Sequence, residues 1–226
     1  INTEGLYDVG AIWFLTALFF ALSIYFLLRK ISNAPITLFI LVNIISIVGY
    51  LMSIYCVYQL PWALEASFVA IGFIYVGNIV RKYEKNQIIN TILNIKFYFL
   101  VPLIFIDSLL IYVNGYINMR TGDYANFFLF FINACLSIII LWNVAKLLSA
   151  SRCKIIKCFC KGLQYIGRNS IIFLCLNQII ICILTKTLLN FNMYIKKAIV
   201  FFITMAVLSL LNEIFIRTKL KVIIGR

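Results

Sequence analysis

Seven apolar runs, each close to the length needed to cross a bilayer, constrain this chain more than any other feature of its sequence. A membrane-spanning helix needs about 20 mostly apolar residues, and inside lipid its backbone polar groups must bond to one another. Each run therefore predicts a transmembrane helix. The predicted spans are Val9–Leu28, Pro35–Tyr55, Trp62–Val80, Phe97–Tyr112, Phe127–Leu148, Ser170–Leu189 and Ala198–Ile216.

The composition excludes a water-soluble fold. Of the 226 residues, 64% are hydrophobic and only 12% are charged, whereas soluble domains carry about 25% charged residues. A soluble domain of this size has too little interior to hide so many apolar side chains. No long linker or repeat divides the chain, so we predict a single all-α domain over residues 1–226, a polytopic transmembrane helix bundle.

The basic residues are divided unequally between the two sides of the predicted membrane. Sixteen of the 20 lysines and arginines fall in loops on one side, and four fall on the other. The positive-inside rule makes the first side cytoplasmic, with the N-terminus of the chain outside and its C-terminus inside. We attribute the net charge of +13 to contact with anionic lipid headgroups and not to nucleic acid.

The connection between the fifth and sixth spans is the longest in the chain. Its segment Cys153–Lys161 alternates lysines with isoleucine, phenylalanine and cysteine. This pattern predicts a short basic amphipathic helix on the inner membrane surface. The three cysteines of the segment lack the ligand spacing of a zinc site, and the chain contains no histidine. We therefore predict no metal, and the other cysteines pack as small hydrophobic residues.

Polar side chains inside the spans are costly and face either a cavity or a partner. Glu65 begins the third span, Asp107 lies in the fourth, and Glu213 precedes Arg217 by four residues, which predicts an ion pair. Two interpretations of the polar side chains stay open, bridges between helices or the polar interior of a transporter or intramembrane enzyme. The amide side chains in question are Asn133, Asn143, Asn177 and Gln178.

The loop between the fourth and fifth spans is polar and contains two glycines that suit tight turns. It carries Arg120, close in sequence to Asp123. One interpretation is a solvated hairpin between two helices. The other is a lip over an extracellular entrance, where Tyr116 and Tyr124 stack on sugar faces.

Four segments, in a fixed order along nearly the whole chain, resemble motifs of a known family. They are Ala11–Phe19, Leu60–Gly77, Asn114–Asn126 and Ile166–Gln178. In these segments the chain resembles the acyltransferase-3 family of membrane O-acyltransferases, and the third segment resembles its fucose-4-O-acetylase-like branch. The resemblance implies about ten helices and transfer of an acetyl group from cytoplasmic acetyl-CoA to a hydroxyl of a cell-surface or lipid-linked carbohydrate. It also implies a bacterial cytoplasmic membrane and no bound cofactor.

The chain opens at Ile1 instead of methionine, and we interpret it as the C-terminal portion of such a protein. A ten-helix protein with both ends inside, without its first three helices, would leave seven spans and an outside N-terminus, as the charge rule predicts. The family's essential histidine has no counterpart here. We therefore expect no catalytic residue in this chain, and no activity from the chain alone.

The resemblance and the charge pattern give two sets of candidate binding residues. An outer set would bind the acceptor carbohydrate, with Asn177 at a position where many members carry a histidine; asparagine hydrogen-bonds but does not shuttle protons at neutral pH. An inner set would meet the phosphates of the acyl-CoA donor. The outer set is Asn114, Arg120, Asn126, Asn177, Glu65 and Asp107, and the inner set is Arg81, Lys82 and Arg168.

Two alternatives from other functional classes remain. One is a transport module for a small polar solute, lined by Asp107, Glu65, Asn133 and Asn177. The chain lacks the pair of Gly/Pro-interrupted spans that marks many transporters. The other is a non-catalytic membrane scaffold. Measuring both solute uptake into liposomes and acetyl transfer by the intact protein would distinguish a transporter from an acyltransferase.

Overall fold

The structure, a computed structural model, describes residues 12–56, 60–187 and 193–218. In these ranges the chain forms nine α-helices, and seven of them are long and apolar enough to cross a membrane. The predicted all-α, polytopic helix bundle is confirmed. The helices are α1 (Ile12–Ile31), α2 (Pro35–Tyr55), α3 (Leu64–Lys82), α4 (Gln87–Ile92), α5 (Phe97–Asn114), α6 (Phe127–Ala150), α7 (Lys154–Arg168), α8 (Ser170–Thr187) and α9 (Met193–Arg217).

The predicted spans match the long helices, with differences at their ends. Helix α2 has the predicted bounds, because Pro35 suits the first position of a helix. The third candidate span covers Pro61–Lys82, close to the predicted Trp62–Val80. Its α-helix begins at Leu64, because a 3-10 turn, Pro61–Ala63, precedes α3. Helix α9 begins at Met193, five residues before the predicted start at Ala198. Two predicted ends lie outside the described residues, Val9 and Leu189.

Two of the nine described helices, α4 and α7, are too short to be candidate membrane spans. Helix α7 confirms the helix predicted from the basic segment at Cys153–Lys161 and continues to Arg168, with no buried side chain. Helix α4 was not predicted. It is a six-residue helix whose first turn is capped by Asn86, the side-chain oxygen of which accepts a hydrogen bond from the Ile88 backbone N–H.

The first compact unit spans residues 13–156 and holds α1 to α6. Helices α2 and α3 run antiparallel, as two hydrogen bonds between them show. The Tyr75 hydroxyl donates to the Pro35 carbonyl at one end, and the Ser46 hydroxyl donates to the Phe68 carbonyl further along. At Gly49 the two helices approach so closely that a Cβ atom would lie 2.6 Å from the Phe68 Cβ. Small residues permit such contacts between membrane helices. Helix α1 joins this pair through a core of Ala21, Tyr25, Leu28, Leu38, Val42, Ile71 and Tyr75.

Helices α5 and α6 form a second antiparallel pair in the same unit. Near the connecting loop, the Asn126 backbone N–H donates to the Asn114 side chain at 3.0 Å, and at mid-helix Ser137 donates to Asp107 at 2.8 Å. The loop end of α6 packs on α2 and α3 through an aromatic cluster. Its members include Tyr50, Val69, Phe73, Tyr124, Phe127, Phe130 and Phe131.

The second compact unit includes residues 157–218 of the described chain and holds most of α7 together with α8 and α9. Helix α9 buries one stripe, whose residues recur every four positions, as one face of a helix requires. Helix α8 contributes Ile172 and Phe173 to the buried side chains of this unit. The stripe on α9 is Val200, Thr204, Leu208 and Asn212.

Candidate functional site

A cavity of about 470 Å³ lies between α3, α4 and α6 in the first unit. This volume falls within the range of roughly 300–1,000 Å³ that small-molecule sites occupy. The walls are almost wholly apolar, and the two charged side chains in the lining stand at one end, where α3 finishes. The lining residues are Phe73, Val76, Gly77, Val80, Arg81, Glu84, Ile89, Ile92, Leu93, Cys135, Ile138, Ile139 and Trp142.

The charged end of the cavity contains one of the predicted donor-binding residues. Arg81 is exposed in the last turn of α3, and its guanidinium has no hydrogen bond or ion pair with the described part of the chain. The adjacent Lys82 places its ammonium 5.4 Å from the centre of the Tyr83 ring. Glu84 brings one opposing charge to the same mouth.

One wall of the cavity is fixed by a hydrogen-bonded asparagine. Asn143 of α6 is 2% exposed. Its side-chain oxygen accepts from the Ile95 backbone N–H at 2.8 Å, and its amide donates to the Ile92 carbonyl at 3.1 Å. Lys146 adds a bond to the Leu93 carbonyl at 3.0 Å. Of the two interpretations, the bonds of Asn143 match the first, a bridge between helices, and the bridge holds the short helix α4 against α6.

A second polar group lies in the middle of the α5–α6 pair. Asp107 is 8% exposed; its Oδ2 accepts from Ser137, while its Oδ1 has no partner. Asn133 is 4% exposed, and neither polar atom of its side chain has a partner. It precedes Ser137 by four residues, so both occupy one face of α6. Asp107 thus meets α6 directly, as a bridge between helices does.

Two predicted acceptor residues, Asn114 and Asn126, meet in the loop between α5 and α6. The Asn114 oxygen accepts from the Asn126 backbone, and the Asn126 oxygen accepts from the first N–H groups of α6 as its N-cap. Arg120 donates its backbone N–H to the Asn118 side chain at 3.0 Å. Asn118 also forms a two-residue backbone bridge with Asp123. The loop is therefore a hydrogen-bonded hairpin, ordered by asparagine side chains.

The two loop tyrosines differ in what they can contact. Tyr116 is 75% exposed and free to stack on a ligand, whereas Tyr124 is 2% exposed. The prediction that Tyr124 stacks on sugars is wrong, because its ring packs between Tyr50, Phe127 and Phe130. Burial, together with the nearby negative charge of a glutamate, raises the pKa of the Tyr124 phenol well above its ordinary value.

Glu65, another predicted acceptor residue, caps the strained turn before α3. Its carboxylate accepts a hydrogen bond from the Leu60 backbone N–H. The turn between them places two consecutive residues in the left-handed region, Trp62 at φ 66° and Ala63 at φ 56°, a conformation that costs non-glycine residues free energy. The Trp62 ring stays 59% exposed.

The remaining predicted residues, Asn177 and Arg168, lie in the second unit. Asn177 on α8 has a buried side-chain oxygen without a partner, and Arg168 ends α7. In this unit the Tyr165 hydroxyl is the centre of a polar group, accepting from Asn212 at 2.6 Å. The predicted ion pair of the last helix is confirmed, with Arg217 Nε and Glu213 Oε2 3.6 Å apart.

No group of three or more His, Cys, Asp or Glu residues in the described ranges is placed to hold a metal ion. Just before α7, the Cys153 sulfur accepts from the backbone N–H groups of Ile155 and Ile156, and these bonds lower the pKa of the thiol.

Sequence reasoning missed the cavity and three residues that shape it. A Cβ atom added at Gly77 would meet no atom within 4 Å, so there is open space beside this residue. Trp142 and Glu84 complete the wall and the mouth. The one available signal was an isolated glycine inside a long apolar helix, which often has a packing or functional reason.

The seven apolar helices define the class of this molecule as an all-α, multi-pass membrane protein. Its lipid-facing surface is rich in large apolar side chains, such as Phe105, Phe128 and Leu141. No known protein family, curated protein or solved structure matches the chain.

Proposed function

We propose that this chain forms the substrate-binding part of a bacterial membrane O-acyltransferase. The enzyme transfers an acyl group from acyl-CoA, acetyl-CoA in the sequence-based prediction, to a hydroxyl of a cell-surface or lipid-linked carbohydrate. One observation carries the proposal, the position of Arg81 at the mouth of an apolar cavity. Arg81 was assigned to donor phosphate on charge alone, and its place beside a cavity of ligand size supports that assignment.

The chemistry of an acyl-CoA suits this arrangement. The donor combines anionic phosphates with an apolar acyl group, so its site needs a cation beside an apolar pocket. An arginine guanidinium binds phosphate in a two-pronged geometry, and Arg81 has no competing partner among the described residues. Because the basic loops predict a cytoplasmic location for this end of α3, the mouth would face the compartment that holds acyl-CoA.

The acceptor side of the proposal rests on the hairpin between α5 and α6. Asn114 and Asn126 build the hairpin, and Arg120 and the exposed Tyr116 stand on it, so the sugar would contact the latter two. The chain contains no histidine, and the general base that the resemblance implies is not among its 226 residues.

Acyl transfer in membranes tests this proposal. Membranes from cells that express the complete natural gene receive acyl-CoAs labelled in the acyl group, from acetyl-CoA to decanoyl-CoA, and are assayed for label in carbohydrate. We expect Arg81→Gln to raise the KM for the donor about 10- to 100-fold, the effect of losing one charge-assisted hydrogen bond of about 1.5–3 kcal/mol. Arg29→Gln is the matched control, since Arg29 is an exposed arginine at the end of α1 that does not line the cavity. Absence of labelled carbohydrate with every one of these acyl-CoAs, in membranes that contain the complete unaltered protein, would refute the proposal.

A transport module remains a second candidate, favoured by one observation. The unpartnered Asp107 Oδ1 and the unpartnered amide of Asn133 lie buried in the middle of the α5–α6 pair, where polar atoms are costly. Proteoliposomes that take up small polar solutes, and lose uptake with Asp107→Asn, would favour transport over acyl transfer.

A further inference from the structure

We propose that the cavity between α3, α4 and α6 holds the hydrocarbon chain of a medium-length acyl-CoA, so that the donor is a fatty-acyl thioester instead of acetyl-CoA. This inference rests on the proposed function and names the substrate class of the same site. It follows from the volume of the cavity, the nature of its walls and the charges at its mouth.

The volume of the cavity far exceeds the needs of an acetyl group. A methylene group takes up about as much space as a water molecule, roughly 30 Å³. The 470 Å³ cavity therefore has room for about 15 methylene groups. An acetyl group would leave most of that apolar space without contacts, which forfeits dispersion energy. A chain of about 8 to 12 carbons fits within the volume and still allows for imperfect filling.

The walls suit a hydrocarbon chain along their whole length. Valines of α3 and isoleucines of α4 and α6 line the space, with Phe73 and Trp142 among them. Ile138 and Trp142 remain exposed, so these walls enclose the space only in part. Gly77 lies in this lining and presents no side chain, and a Cβ added there would meet no atom within 4 Å. The open space beside Gly77 is therefore part of the volume that a ligand would fill.

The charges at one end of the cavity suit the phosphates of an acyl-CoA. Arg81 and Glu84 line the cavity at this end, and Glu84 lies in the turn after α3, beyond the membrane-spanning segment. An acyl-CoA whose hydrocarbon chain lies along the apolar walls would place its phosphates beside Arg81. Lys82 and Lys85, both exposed, raise the positive charge around this end, whereas Glu84 opposes it.

A binding series over chain length tests the inference. The full chain is placed in nanodiscs of zwitterionic phosphatidylcholine, and the Kd of saturated acyl-CoAs from acetyl to palmitoyl is measured, with subtraction of binding to empty nanodiscs. Burial of one methylene group contributes about 0.8 kcal/mol. We therefore expect affinity to rise by at most about 4-fold for each methylene group added to the chain. The rise should stop when the chain fills the cavity.

Gly77→Leu supplies the decisive variant, because it fills part of the cavity without a clash. Its four added carbons should shorten the length at which affinity stops rising by about four carbons, since each methylene takes roughly 30 Å³. Gly162→Leu is the matched control. Gly162 is also a helical glycine whose Cβ would meet no atom within 4 Å, but it lies on α7 outside the cavity. Arg81→Gln should weaken all chain lengths alike, and Glu84→Gln should strengthen them.

Three outcomes would overturn the inference, and they can be told apart. Equal affinity for acetyl-CoA and decanoyl-CoA, unchanged by Gly77→Leu, would refute the fatty-acyl donor and leave the proposed function standing. If acyl-CoAs of every chain length bind no more than they bind to empty nanodiscs, both the fatty-acyl donor and the proposed function are refuted. If added phosphatidylglycerol displaces decanoyl-CoA completely at equal concentration, the cavity is a lipid site and the inference fails.

Discussion

Replacing Asn143 with alanine should destabilise the protein measurably, although the residue lies in an apolar helix and contacts no proposed substrate. Asn143 is 2% exposed, and its side chain connects α6 to two backbone groups about 50 residues away in sequence, the Ile95 N–H and the Ile92 carbonyl. Together with the bonds of Lys146 to Leu93 and Asn94, these two bonds hold the end of α4 and the residues before α5 on α6. Alanine removes both of them and leaves a small void.

The magnitude follows from the bonds that are lost. A hydrogen bond within a protein contributes a net 0.5–1.5 kcal/mol or so, and interhelical bonds in membranes average about 0.6 kcal/mol. The third bond, from the Asn143 amide to the Ile139 carbonyl at 2.9 Å, lies within α6 and adds little, since that carbonyl keeps its helical partner. Leaving the Ile95 N–H without an acceptor adds to the cost. We therefore expect a loss of about 1–3 kcal/mol in the free energy of unfolding.

Equilibrium unfolding in mixed detergent micelles, followed by tryptophan fluorescence, measures this loss. The matched control is Asn43→Ala, because Asn43 is an exposed asparagine whose amide donates only to the Phe39 carbonyl of its own helix. We expect the control to stay within about 0.5 kcal/mol of the unaltered protein. Equal stability of the two variants would show that the Asn143 bonds do not anchor α4.

Three further predictions rest on single contacts. Gly49→Ala should destabilise the protein, because the new Cβ would stand 2.6 Å from the Phe68 Cβ. Gly77→Ala should leave stability unchanged or raise it by up to about 1 kcal/mol. Thermal unfolding of the two variants checks both expectations. The raised pKa of Tyr124 means that the unfolded state ionises first, so stability should fall as pH rises above about 10, and Tyr124→Phe should lessen that fall. The lowered pKa of the Cys153 thiol should make it react with maleimide near pH 7.5 faster than the exposed Cys158, as peptide mass mapping over time would show; equal rates would contradict this.

The apolar spans were predictable because their formation depends on length and composition alone. Helix α2 has both predicted bounds, since Pro35 marks its start in the sequence itself. The Glu213–Arg217 ion pair was equally accessible, because i,i+4 spacing on one helix fixes the two side chains on one face. In each case the evidence lies within a few residues of the feature.

Features that depend on distant residues were not predictable. Helix α4 is six residues long, shorter than the window over which apolar periodicity identifies a helix. Its bond to α6 joins Ile92 to Asn143, about 50 positions apart. Gly49 and Gly77 both read as glycines in apolar helices, yet one stands in a tight helix contact and the other faces a cavity. Tyr124 follows a polar loop in the sequence, but the packing of α2 and α6 around it buries its ring.

The polar residues of α5 and α6 are better explained by helix pairing than by chemistry. Leu100, Asp107 and Asn114 are the buried residues of α5 and recur every seven positions, the spacing of a seam between two coiled helices. The bond from Asn126 to Asn114 near the loop and the bond from Ser137 to Asp107 at mid-helix set the antiparallel register of the two helices. A one-turn slip would break both bonds, so these groups specify the register, as buried polar residues do in coiled coils. Donor binding would therefore fall to Arg81 and the apolar cavity beside it, and Asp107→Asn should leave donor binding unchanged.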